Sequence, residues 1–73
     1  MTKEDIIGFI EFLTEELDCN STIADLKHTV ELVPLMNTSE IIQSLGALIK
    51  KSNSAYVHEY LEELTQMILY PEE

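Results

Sequence analysis

The chain has 73 residues, with 14 Asp and Glu against 4 Lys, no Arg and a net charge of −10. A surface this acidic repels phosphate backbones, which argues against direct binding of DNA or RNA. A single cysteine, Cys19, excludes an internal disulfide, and no apolar run approaches the ~20 residues of a membrane span.

A chain of this length forms one domain, residues 1–73, and buries only about 60–65 % of the surface its unfolded form exposes. With no disulfide and no Cys/His cluster, oligomerisation or a partner is the expected source of further stability. The N-terminal Met1-Thr2-Lys3-Glu4-Asp5 has no basic region leading into an apolar run, and a lone cysteine suits a reducing compartment. The expected location is the cytoplasm.

Thr2 caps a first helix over 3–18, and Asp5 three residues on completes a capping box. Ile6, Phe9, Ile10, Leu13 and Leu17 follow at helical spacing, with Glu11, Glu15 and Glu16 on the wet side. Ile7 and Phe12 fall on opposite shoulders of that stripe, so the apolar face is wide. Asp18-Cys19-Asn20-Ser21 breaks the pattern with turn formers. Asn20, Ser21 or Thr22 starts a second helix, taken over 22–33 because the Thr22/Asp25 pair makes Thr22 the better cap, and its stripe is Ile23, Leu26, Val30 and Val33. Pro34 lacks an amide hydrogen and biases Val33 away from helical geometry, so the helix ends or kinks there. Leu35 and Met36 are expected to plug one end of the core.

Asn37-Thr38-Ser39-Glu40 is the strongest start signal in the chain, opening a third helix over 38–51 through Ile41, Ile42, Leu45, Leu48 and Ile49. Gly46 inside it costs about 1 kcal/mol relative to alanine, which points to close helix packing. Lys50 and Lys51 suit the negative end of the helix dipole, and Ser52-Asn53-Ser54 makes a turn. A fourth helix over 54–69 carries Val57, Leu61, Leu64 and Ile68 at spacings of four, three and four, and Pro71 ends it. The fold class is all-α: four short antiparallel helices in a small bundle or two packed hairpins. The fourth helix should pack closest against Ile41, Leu45 and Leu48.

No catalytic, cofactor-binding or metal-ligating residue emerges. Asp25 and His28, or His58 and Glu62, share helix faces, but a helical di-metal site needs about four carboxylates and two histidines pointing inward. Both histidines read as surface residues. Cys19 has no base paired with it and reads as a half-buried structural cysteine. Gly8 and Gly46 lie inside helices, so there is no glycine-rich phosphate loop.

Two stretches resemble known families. Ala24 to Val33 resembles the second helix of acyl carrier proteins, which are also small, acidic and four-helical. Those proteins carry a phosphopantetheine arm on a serine directly after the aspartate, and here Leu26 follows Asp25. The resemblance implies at most a degenerate carrier-like protein without an attachment point. Glu40-Ile41-Ile42-Gln43-Ser44-Leu45, the turn after that helix, and the helix ending in Met67-Ile68-Leu69-Tyr70 resemble the C-terminal hairpin of the YmgB/AriR family. Those are small helical regulators of biofilm and acid resistance, also described as two-component connector proteins, and they tend to dimerise. The chain departs from them in a shorter second connection containing Pro34 and in lacking their longer N-terminal lead. The resemblance implies a small helical regulator able to dimerise, and no functional residue carries over.

With no chemistry indicated, the informative residues are the apolar ones that four short helices cannot all hide. Ile7, Phe12, Leu32, Tyr56 and Tyr70 lie off their helices' main stripes, and Tyr60 lies at the edge of one. Tyrosine suits an interface because it buries a ring while keeping a wet hydroxyl. The expected function is a non-enzymatic protein–protein interaction module, a regulator or adaptor, binding a protein partner or a second copy of itself as a homodimer. The alternative is a dedicated inhibitor, immunity protein or secretion chaperone that masks a basic partner surface.

Overall fold

A computed structural model describes residues 2–70. Among them the chain forms α1 (Lys3–Glu16), α2 (Asn20–Leu32), a one-turn 3-10 segment (Val33–Leu35), α3 (Thr38–Lys51) and α4 (Ala55–Leu69). The all-α class stands. Pro71 lies outside the described residues; within them α4 ends at Leu69, with Tyr70 as its C-cap.

The helix starts follow side-chain chemistry. At α1, Thr2 Oγ1 accepts from the Asp5 amide at 3.2 Å and the Asp5 carboxylate accepts from the Thr2 amide at 3.1 Å. That backbone N–H, ahead of the Thr2 hydroxyl, holds the Asp5 carboxyl below its usual range. Asn37 and Glu40 form the same reciprocal pair at α3, at 2.9 and 3.1 Å. At α4, Ser54 caps alone, accepting from the Val57 amide.

Two boundaries differ from the sequence expectation by two residues, and two more, the end of α2 at Leu32 and the start of α4 at Ala55, differ by one. α1 stops at Glu16 instead of 18, and Leu17 is extended. Its last turn holds Glu15 and Glu16 with no basic residue, and carboxylates are unfavourable at the negative end of a helix. α2 starts at Asn20 with Cys19 in the cap position, so Thr22 is not the cap but lies in the first turn. The earlier start carries Asn20, Ser21 and Thr22 in that turn, where amides have no intrahelical partner in any case.

α1 and α2 form one hairpin, and α3 and α4 form a second, more extensively packed one. The first is antiparallel, since Lys3 Nζ at the start of α1 donates to the Pro34 carbonyl just past the end of α2 at 3.2 Å. The hairpins meet through α1 against α4 and α2 against α3. Between them lies one core of Ile6, Ile10, Leu13, Leu26, Val33, Ile41, Leu45, Leu48, Val57, Leu61 and Leu64. The radius of gyration is 11.3 Å, close to the ~11 Å of a compact chain of this length.

Pro34 converts the end of α2 into a 3-10 turn, where its missing N–H is not needed. In that geometry residues three apart lie over one another. Val33 and Met36 therefore both turn inward, Val33 fully buried and Met36 packed against the core. Leu35 points away and is 80 % exposed, so the expected plug consists of Met36 without Leu35. Phe9, expected in the α1 stripe, lies beside it at 37 % exposure, whereas Ile7, expected to be spare, packs against the core.

Gly46 does not mark a close approach: a Cβ built there meets nothing within 4 Å, and its φ is not positive. Gly46→Ala is therefore expected to stabilise the domain by about 0.5–1 kcal/mol, raising Tm by several degrees in a thermal melt. Leu61→Ala, at a fully buried position, is expected to cost about 2–5 kcal/mol. A domain of this size has only about 4–11 kcal/mol to lose, so urea midpoints should separate the two variants widely.

Candidate functional site

α1 presents a wider apolar face than its neighbours cover, and the uncovered part meets α4. Phe9 and Phe12 are 37 % and 55 % exposed. On α4, Tyr56 and Tyr60 lie four residues apart, with ring centroids 6.2 Å apart and planes tilted by 53°. The Tyr60 hydroxyl donates to the Phe9 carbonyl at 2.6 Å, joining the two hairpins across the face. That bond satisfies the polar end of the ring and leaves its side as a wall. Glu4, Asp5, Gly8, Phe9, Phe12 and Tyr60 line an open groove of about 510 Å³.

The rim of this groove is acidic. Burial, then Tyr56, then the carboxylates of Glu16 and Glu63 push the Tyr60 phenol above its usual pKa. Glu4 and Asp5 are part of the groove's lining. The lysines lie elsewhere: Lys3 on the Pro34 carbonyl, Lys27 in a separate groove between α1 and α2, and Lys50 and Lys51 in the last turn of α3.

Of the six residues singled out in the sequence, the fold gathers Phe12, Tyr56 and Tyr60 at this face. Ile7 is taken into the packing, Leu32 is 37 % exposed on α2 outside the groove, and Tyr70 is exposed beyond the other end of α4. Phe9 and Gly8 belong to the face without having been expected there. The available signal was Phe9's position one step to the side of the seam formed by Ile6, Ile10, Leu13 and Leu17.

The histidines separate. His28 is exposed, but His58 is half-buried, with Nε2 donating to the carbonyl of Ser52 in the α3–α4 turn, so it is a turn-closing residue and not a plain surface one. Among the described residues no group of three or more His, Cys, Asp or Glu side chains is placed to hold a metal ion. No helix among them is long and apolar enough to cross a membrane.

Cys19 is exposed, not half-buried as expected. It stands at the start of α2, where Sγ lies 3.3 Å from Ser21 Oγ. Hydrogen bonds from the Ser21 hydroxyl, then from the Thr22 hydroxyl and amide, favour the thiolate and bring the pKa to about 7. A lowered pKa means the thiolate forms at lower pH, so the iodoacetamide alkylation rate of the folded chain is expected to reach half its plateau near pH 7. Ser21→Ala should move that midpoint upward, and an unchanged profile would remove the Ser21 bond as its cause.

The chain matches no known protein family model, no curated protein and no solved structure.

Proposed function

We propose that this chain is a non-enzymatic protein–protein interaction module, a regulator or adaptor that acts by presenting the α1/α4 face to a partner. The observation that carries this reading is the meeting of Phe9 and Phe12 from one hairpin with Tyr60 from the other in the lining of one open groove, with Tyr56 beside Tyr60. Scattered exposed apolar residues are ordinary on a small domain, but aromatic rings converging from distant parts of the chain are the composition of an interface core. The lone cysteine supports a cytoplasmic site of action.

The acidity of the rim favours one variant of this reading, a dedicated inhibitor, immunity protein or secretion chaperone that masks a basic surface. The resemblance to the YmgB/AriR hairpin favours a regulator able to dimerise.

A photo-crosslinking phenylalanine analogue placed at Phe12 in the full chain, expressed in its own host, is expected to trap one discrete protein. The same analogue at Gln43, exposed on α3, is the background. Crosslinking at Phe12 no stronger than at Gln43 would sink the interaction reading.

A further inference from the structure

Taking the α1/α4 face as an interaction surface, we infer that its occupant is a basic amphipathic helix of a partner protein, with an apolar stripe seated among Phe9, Phe12, Tyr56 and Tyr60 and Lys or Arg on both flanks. The inference rests on the function proposed above and goes further by stating the chemistry of the partner.

Shape supports a helix. The groove lies along α1 from Glu4 to Phe12 with Tyr60 of α4 beside it, a span of about 12 Å that matches roughly two turns of a ligand helix. Its lining includes Gly8, where a Cβ would meet nothing within 4 Å, so the missing side chain leaves depth between aromatic walls. Aromatic walls with a recessed base accept anchors spaced i, i+3 or i+4, and i+7 on an amphipathic helix.

Area and charge together select the sign of the partner. Phe9, Phe12 and Tyr56 are 37 %, 55 % and 47 % exposed, and at about 200 Å² per aromatic side chain they offer roughly 300 Å². A stable interface takes about 800 Å² from each partner, so most of the contact must come from the rim. The charged residues that line the groove are Glu4 and Asp5, and the lysines lie elsewhere. A second copy of this chain brings another −10 and is repelled, whereas a helix with lysine or arginine flanks is attracted and steered into place.

The test uses the intact chain and a fluorescein-labelled synthetic peptide of about 16 residues, with leucine at i, i+3, i+4 and i+7 of each repeat and lysine elsewhere. One control peptide has the same composition in permuted order, and another has glutamate in place of lysine. By fluorescence anisotropy the leucine–lysine peptide is expected to bind at least about tenfold more tightly than the permuted one, and to weaken steeply between about 0.05 and 0.5 M salt. The glutamate peptide should not bind. Gly8→Leu fills the groove from a position with open space around it, and Phe12→Ala removes a wall. Each should weaken binding by about tenfold or more while the circular dichroism melt shows the variant folded.

Equal binding of the ordered and permuted peptides, or equal binding by Gly8→Leu and the unmodified chain, overturns the inference. So does a failure of the leucine–lysine peptide to bind, or a homodimer in sedimentation that Gly8→Leu disrupts. In each of those cases a specific crosslink at Phe12 still leaves the interaction reading standing.

Discussion

Burial of the α4 stripe is the constraint on which the rest of this molecule depends. Val57, Leu61 and Leu64 are at most 1 % exposed, and no single neighbouring helix can cover a stripe that long and wide. α3 covers most of it with Ile41, Leu45 and Leu48, and α1 comes in from the other hairpin to complete the cover. The hydrophobic effect has no direction of its own. Orientation comes from the short Ser52–Ser54 turn, which forces α4 back along α3, and from the Tyr60 hydroxyl, which reaches the Phe9 carbonyl. In a domain with so little surface to bury, a slip in that arrangement would expose a large share of the core.

The same arrangement produces the exposed face. α1 is asked to serve two neighbours, α2 and α4, and its apolar residues extend past both. Ile6, Ile10 and Leu13 are buried, Ile7 is drawn in, and the two phenylalanines are left at the edge. Tyr60 then cannot sink further, because its hydroxyl is already bonded at the surface of α1. Excess apolar width on one helix and a polar tether on the other thus leave a groove whose walls are aromatic. Glu4 and Asp5 of α1 line it, while the lysines sit at the 3-10 turn, in the α1/α2 groove and at the end of α3.

The opposite character appears where the α1–α2 and α3–α4 turns come together. Cys19, Ser21 and Thr22 lie there with Lys51, Ser52, Asn53 and Ser54 around a polar depression. Small hydroxyl residues hold the cap of α4, and His58 clasps the Ser52 carbonyl from within the helix. That end of the bundle is built of local hydrogen bonds, and the aromatic face is built of long-range packing.

How much of this was legible follows from the range of the interactions. Thr2/Asp5 and Asn37/Glu40 act over three residues, and the seam residues of α3 and α4 repeat with the helix, so four helices, their main stripes and the break at Pro34 could be read directly from the chain. Tyr56, Tyr60 and Phe12 were legible as residues off their stripes. That they meet, and that Phe9 and Gly8 join them while Leu32 and Tyr70 do not, was decided by the crossing of α1 against α4, about fifty residues apart in sequence. Helical periodicity says which side of one helix is apolar but not how far around that side a neighbour will reach. For the same reason Leu35 looked buried until the 3-10 turn rotated it outward, and Gly46 looked like a contact until no neighbour came near it. Local pattern determined the helices; only packing decided which apolar residues were left over, and those make the face.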